Sequence, residues 1–181
     1  MKGVGLKIAD MGLSAVWGDV HSRANPSVVT LWYRAPELLL GSHRFGPAVD
    51  AWAAGAIIAQ MLRREPLFPS GPGESEAMLI QKQLASIFRI TGTPLEDGNW
   101  PDAAKLPGWC DWTPAPAQPW SKVMPGCDGK AIDLVRRLCT LDPTKRLLPG
   151  AALEHPWFTA RPLPTAPADL PLLPQPDKSD T

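Results

Sequence analysis

The sequence predicts a mainly α-helical fold in one domain of 181 residues. Three long segments carry apolar residues at helical spacing, at 47–64, 76–90 and 128–140. Only one short segment, at 4–9, alternates like a β-strand, and no second strand is predicted to pair with it. We therefore expect that the sheet to which this strand belongs is encoded upstream. Hydrophobic residues make up 44% of the chain, which is enough for a real core.

Composition excludes several classes of protein. Eighteen Lys and Arg balance eighteen Asp and Glu, so we expect no direct binding of nucleic acid or of a membrane surface. The three Cys contain no CxxC pair and the three His form no cluster, which argues against a structural zinc site or a disulfide scaffold. The first residues lack the apolar run of a signal peptide, and the longest apolar stretch, 51–62, is too short to cross a bilayer.

The first third of the chain is predicted to be mostly loop. After the strand at 4–9, residues 10–25 are rich in Gly, Ser, Asp and His, which favours a long loop. Residues 28–33 are bounded by prolines and fit a strand or an extended loop equally well. A short helix is predicted over 36–40, with Pro36 in its first turn and Gly41 at its end.

The helix at 47–64 is expected to be the centre of the core. Pro47 lies in its first turn, Asp50 suits the positive end of the helix dipole, and Pro66 stops it. Apolar residues leave almost no polar face, so burial on most sides is predicted. They are Val49, Trp52, Ala53, Ala56, Ile57, Ile58, Met61 and Leu62.

The second half alternates helices with proline-rich segments. The helix at 76–90 has one apolar stripe, and the helix at 128–140 is amphipathic. Between them, 101–125 holds six Pro and three Trp, so we expect an irregular segment held by indole rings rather than by backbone hydrogen bonds. A short helix over 150–155 precedes a polyproline-like tail at 161–176.

Several short motifs follow one another in a fixed order. KIADMG places Asp10 directly after the predicted strand, where a carboxylate can face a metal ion, although an ordinary turn residue is the other interpretation of Asp10 alone. Further along come LWYRAPE, ending at Glu37, then DAWAAG, GTP, LDPTKR, ending at Arg146, and HPWF. Together these motifs are far more specific than any one of them.

The ordered set resembles the C-terminal lobe of a eukaryotic protein kinase of the cyclin-dependent kinase group. The D-F-G and A-P-E signatures occur as DMG and APE, on either side of an activation loop. The segments AVDAWAAG and NWPDAAKLPGW are similar to the subgroup that activates other cyclin-dependent kinases and belongs to transcription factor IIH. The resemblance implies the large kinase lobe without the N-terminal β lobe, with a partial kinase domain at 1–158 and a proline-rich tail at 159–181.

The resemblance implies a role for the turn at Asp10 in binding ATP and Mg²⁺. Asp10 is expected to bind the magnesium ion that bridges the ATP phosphates, because a hard dication prefers carboxylate oxygen. Gly12 is expected to permit the turn beside this cofactor site. Met11 stands where the family has Phe, and we expect its flexible thioether to fill the same packing position.

The resemblance also implies a substrate site selective for proline. Thr30 is expected to support the substrate-binding loop and to hydrogen-bond the catalytic aspartate, while Val28 and Val29 form a ledge beside the residue after the phosphoacceptor. Arg34 is expected to satisfy a backbone carbonyl there, so that proline, which has no N–H, is favoured. Without the other motifs, Arg34 would be interpreted as a solvated surface charge. The resemblance therefore implies protein substrates with Ser-Pro or Thr-Pro sites.

Two further features concern the activation segment. Glu37 and Arg146 resemble the buried ion pair of the family, which anchors this segment to the lobe. The family usually carries a phosphorylated Thr where this chain has Asn25, so Ser22 and Ser27 are candidate phosphosites instead.

The resemblance implies a cyclin-type regulatory subunit as a partner. It also implies residence in the nucleus, with the cytoplasm as a second location. The 181 residues contain no GxGxxG, VAIK or HRD motif, so we expect negligible phosphoryl transfer by this chain alone. Two alternatives stay open. One is a non-catalytic module that docks substrates or partners, favoured by an apparent insertion at 70–82, and the other is a fragment without a stable product.

Overall fold

The structure, a computed structural model, describes residues 7–14, 31–44, 46–73, 75–94, 98–166 and 169–170. All regular secondary structure of these residues is helical, which confirms the mainly α-helical prediction. The α-helices are α1 (Pro36–Leu39), α2 (Ala48–Arg63), α3 (Glu76–Thr91), α4 (Trp120–Val123), α5 (Gly129–Leu138) and α6 (Pro149–Leu153). Short 3₁₀ helices cover Met11–Leu13, Leu31–Tyr33 and Pro101–Lys105.

The prediction of an N-terminal strand at 4–9 is wrong for residues 7–9, the part of that segment that the structure describes. Residues 7–9 form no regular secondary structure, and 4–6 lie outside the described residues. A strand needs a neighbour to satisfy its N–H and C=O groups, and the described part of the chain offers none. The second ambiguous segment, 28–33, ends in the 3₁₀ helix Leu31–Tyr33, with 28–30 outside the described residues.

Helix α2 crosses the middle of the core. The indole of Trp52 is fully buried and stacks on Phe68, with ring centroids 5.1 Å apart and planes 14° from parallel. The prediction that α2 is buried on most sides is wrong for one face. Ile57, Met61 and Leu62 are 47%, 67% and 39% exposed, because the described elements pack on the opposite side of the helix.

Helices α3 and α5 begin at side-chain caps. Ser75 precedes α3, and its hydroxyl accepts a hydrogen bond from the Met78 N–H at 3.3 Å. Asp128 precedes α5, and its carboxylate accepts from the N–H groups of Lys130 and Ala131, at 2.8 and 3.2 Å. These caps fix where the two amphipathic helices start, and both helices bury their apolar side chains in the core.

The proline-rich segment after α3 contains more structure than the sequence predicted. Pro101 starts a 3₁₀ helix and Pro119 precedes α4, because proline fits the first turn of a helix, where its missing N–H costs nothing. Backbone hydrogen bonds also hold the segment, from Thr93 N–H to Ala115 O and from Gln118 N–H to Ile90 O, both 2.9 Å. The expectation that indole rings alone hold it is therefore wrong.

No helix in the described ranges is long and apolar enough to cross a membrane. Beyond α6, the described part of the tail, 159–166 and 169–170, contains no α-helix.

Candidate functional site

Asp10 lies in a left-handed turn in front of a 3₁₀ helix. Its backbone has φ 64° and ψ 73°, a conformation that few residues other than glycine adopt. Its Oδ1 accepts a hydrogen bond from the Gly12 N–H at 3.4 Å, and this contact caps the 3₁₀ helix Met11–Leu13. The carboxylate of Asp10 is exposed and presents its remaining lone pairs to solvent.

Gly12 leaves little room for a side chain beside this carboxylate. A Cβ on Gly12 would lie 3.3 Å from Oδ1 of Asp10, tighter than most real contacts. Met11, by contrast, does not pack as predicted. Its side chain is 61% exposed, and its sulfur contacts only the Ser14 hydroxyl, at 3.5 Å, among the polar partners described.

The chemistry of Asp10 fits a single magnesium ligand. Magnesium prefers oxygen donors and is usually held by one or two carboxylates together with substrate phosphates and water. No group of three His, Cys, Asp or Glu side chains capable of holding a metal occurs within the described ranges. Asp10 could therefore contribute one oxygen ligand, and the described residues supply no complete cage.

Glu37 and Arg146, which were predicted to anchor the activation segment, form a buried, bidentate ion pair between two distant parts of the chain. Nη1 and Nη2 of Arg146 donate to Oε1 and Oε2 of Glu37, at 2.7 and 2.8 Å, and both side chains are almost fully buried. Glu37 lies in the first turn of α1, where the helix dipole favours a negative charge. The structure thus brings together the two residues that the resemblance to kinases paired.

The remaining N–H groups of Arg146 are also satisfied. Nη1 donates to Ala48 O at 2.8 Å, Nη2 to Leu141 O at 3.1 Å, and Nε to Thr140 O at 2.9 Å. The guanidinium carbon lies 5.0 Å from the centre of the Trp52 ring, within range of a cation–π contact. One side chain therefore ties α1, the start of α2 and the loop after α5 to the core.

Two aromatic residues that the sequence analysis did not single out hold the segment before α1. Tyr33 donates its hydroxyl to Oε1 of Gln60 on α2, at 2.6 Å. Trp32 donates its indole N–H to Ser70 O, at 3.3 Å. The motif LWYRAPE contains both, but only their partners, 27 and 38 positions away, show their role.

Arg34 is half-buried beside this segment. Burial lowers the pKa of its guanidinium from the ordinary value, and the charge of Glu76 at the start of α3 opposes that shift. The carbonyl expected to bind Arg34 belongs to the substrate loop, where Val28, Val29 and Thr30 lie outside the described residues. The candidate phosphosites, Ser22 and Ser27, lie outside them as well.

A second polar cluster joins α5 to the end of α6. Asp133 accepts a hydrogen bond from Arg136 at 2.6 Å and forms an ion pair with Nε of Arg137 at 2.8 Å, and its Oδ2 lies 3.1 Å from Nε2 of His155. These contacts, that of Arg136 foremost, lower the pKa of Asp133 to about 2. The motif HPWF begins at His155, so its role here is to fix the chain after α6.

Comparison with known proteins agrees with this geometry. A sequence profile described as "Protein kinase domain" matches residues 1–158. The chain is 40% identical over 167 residues to "Cyclin-dependent kinase 7" of Dictyostelium discoideum, covering 92% of this chain and 44% of that protein. It is 40% identical over 166 residues to "Cyclin-dependent kinase D-1" of Oryza sativa subsp. indica, covering 92% of this chain and 37% of the relative.

The chain therefore belongs to the protein kinase family, within its cyclin-dependent kinase group. Its helical architecture is that of the C-terminal lobe. The chain spans less than half the length of these relatives.

Proposed function

We propose that this chain is the C-terminal lobe of a proline-directed serine/threonine protein kinase that acts with a cyclin-type subunit in cell-cycle control or transcription. One observation carries the proposal. The Asp10 turn and the Glu37–Arg146 pair lie at the two ends of the activation segment, the first offering a carboxylate and the second fixing the segment to the core. Phosphoryl transfer needs a magnesium-binding carboxylate and an ordered activation segment, in addition to the catalytic loop.

The chain's own residues have defined tasks in this proposal. Asp10 binds magnesium through its exposed carboxylate, and Gly12 leaves room for the turn. Magnesium, when bound with ATP, neutralises charge on the phosphates during transfer. Thr30 orients the substrate loop, while Val28, Val29 and Arg34 select proline after the acceptor Ser or Thr. The nucleus, with the cytoplasm as a second location, is proposed as the site of action.

The catalytic base, the Gly-rich loop and the ATP-binding lysine are absent from the 181 residues, so a complete kinase needs a longer product. The test begins with the native protein, isolated through an antibody to α3. Mass spectrometry then measures its size and identifies peptides upstream of Met1. We expect a protein clearly larger than 19.6 kDa that contains an HRD peptide and phosphorylates a Ser-Pro peptide in preference to its Ser-Ala counterpart.

A matched pair of variants in that longer product tests the role of Asp10. Asp10→Asn removes the magnesium ligand and is expected to lower phosphoryl transfer at least about 100-fold. Asp102→Asn removes an exposed carboxylate that pairs with the equally exposed Lys105, and it is expected to leave the rate within about twofold. Equal rates for both variants would exclude Asp10 from the reaction.

A non-catalytic docking module is the second candidate. It is favoured because the described residues form a packed core around Trp52, although the sequence lacks the Gly-rich loop and the lysine that bind ATP. A native product of 19.6 kDa that retains kinase substrates in a pull-down would support this candidate over the first.

A further inference from the structure

An open cleft with a volume of about 520 Å³ lies on the side of the lobe where three helices end. Its apolar floor is offered by Pro66, which is partly exposed, and Pro69, which is exposed, together with the small accessible parts of Leu67, Ile90 and Val123, which are 2%, 6% and 5% exposed. The volume falls within the range of about 300–1,000 Å³ that ligand sites occupy. The cleft is separate from Asp10, Arg34 and the Glu37–Arg146 pair, none of which lines it.

The rim of the cleft carries an excess of positive charge. Arg63, Arg89 and Lys122 line it, against one carboxylate, that of Glu65. The ion pairs formed among the described residues all use other cations. Nη1 of Arg63 donates to Pro66 O at 3.1 Å, which fixes this guanidinium in the wall, while Arg89 and Lys122 are exposed.

Part of this charge offsets the helices themselves. Each of the three cations lies in the last turn of a helix, where the unpaired carbonyls are partially negative. The two long helices contribute about half a negative charge each, and α4 is a single turn. The cleft thus holds three positive charges. Glu65 offsets one of them and the helix ends offset about one more, so about one positive charge is unmatched. Helix stabilisation alone therefore does not account for the cluster.

We propose that this cleft binds an acidic segment of a protein partner, with an apolar side chain on the floor and flanking carboxylates against Arg89 and Lys122. The apolar floor would be unused by an inorganic anion, which favours a peptide. No aromatic side chain lines the cleft as described, so stacking of nucleic-acid bases has no platform. The proposal does not depend on catalysis by this chain.

The test measures binding of a fluorescein-labelled peptide of two glutamates, a leucine and two glutamates to the 181-residue chain by fluorescence anisotropy. The double variant Arg89→Gln with Lys122→Gln is expected to bind roughly tenfold more weakly, from the loss of two exposed charge contacts. Arg44→Gln with Lys130→Gln removes the same charge from exposed positions outside the cleft and is expected to change affinity less than twofold.

Three results would overturn the proposal. They are no binding by the unmodified chain, equal weakening by both double variants, and equal affinity for a peptide in which serine replaces the leucine. The first result would show that the cleft does not bind the peptide. The second would show that the peptide responds only to the net charge of the chain. The third would show that the apolar floor does not contribute to binding. If both double variants melt at the same temperature as the unmodified chain, a loss of peptide affinity does not arise from unfolding. Affinity is also expected to fall as salt is raised, because the rim is exposed.

Discussion

Arg146 and Glu37 form a bidentate pair with N–O distances of 2.7 and 2.8 Å, although 109 positions separate them in the chain. Both charges are out of water, so each depends on the other and on the carbonyls around the guanidinium. Such a pair specifies one arrangement of α1 on the core, because any other arrangement leaves a buried charge without a partner.

Arg146→Met is therefore expected to lower the free energy of unfolding by about 3–5 kcal/mol, because it leaves the Glu37 carboxylate buried and unpaired. Urea denaturation of the 181-residue chain measures the loss. Lys145→Met is the matched control, since Lys145 is exposed and lies 3.6 Å from Asp142, and it is expected to cost less than about 1 kcal/mol. Similar losses for the two variants would show that the buried pair does not stabilise the fold.

The Asp133 cluster predicts a dependence of stability on acid pH. The pKa of Asp133 is about 2 in the folded chain, below its ordinary value near 3.9. A lowered folded pKa means that the stabilisation is complete above the unfolded pKa and is lost as the pH falls through the folded one. Because the carboxylate is partly solvated, we expect at most about 1 kcal/mol, lost between about pH 4 and 2.

The comparison is between Asp133→Asn and the unmodified chain, with urea denaturation at pH 5.5 and pH 2.5. The variant is expected to show a smaller decrease in the free energy of unfolding than the unmodified chain. Asp50→Asn serves as the control and is expected to keep the full decrease. A decrease as large in Asp133→Asn as in the unmodified chain would contradict the assignment.

Local sequence patterns predicted the long helices but not everything around them. Apolar spacing located α2, α3 and α5 to within a residue or two at each end, because amphipathicity is a local property. The exposed side chains of Ile57 and Met61 were missed, since burial depends on which elements pack against a helix. The helix starts at Pro101 and Pro119 were missed because a high proline content was taken as irregular structure.

The candidate site, like the fold, was predicted from the sequence only in part. The turn at Asp10 is encoded locally, by a carboxylate two residues before a glycine. The pairing of Glu37 with Arg146 came only from the resemblance to kinases, because no local period relates positions so far apart. The contacts of Trp32 with Ser70 and of Tyr33 with Gln60 were not predicted at all, since the sequence does not indicate which distant groups face an aromatic side chain.

The three thiols are expected to differ in reactivity. Burial raises the pKa of the Cys139 thiol to about 12, so it carries almost no thiolate near neutral pH. Cys110 is exposed and Cys127 is partly buried. Iodoacetamide at pH 8, followed by peptide mass spectrometry, should label Cys110 first and leave Cys139 unlabelled in the folded chain. In urea all three should react alike, and labelling of Cys139 as fast as Cys110 without urea would contradict its burial.

Gly55 sets how closely α2 and α5 approach. A Cβ at this position would lie 2.7 Å from Cβ of Leu138 and 2.8 Å from Sγ of Cys139, so the helices would have to separate. Gly55→Ala is expected to lower the free energy of unfolding by about 1–3 kcal/mol, although alanine favours a helix by about 1 kcal/mol over glycine. Gly129, at the start of α5, has open space around its Cβ position, so Gly129→Ala should be neutral or stabilising. If both alanines proved stabilising in urea denaturation, helix propensity rather than close packing would govern the contact between α2 and α5.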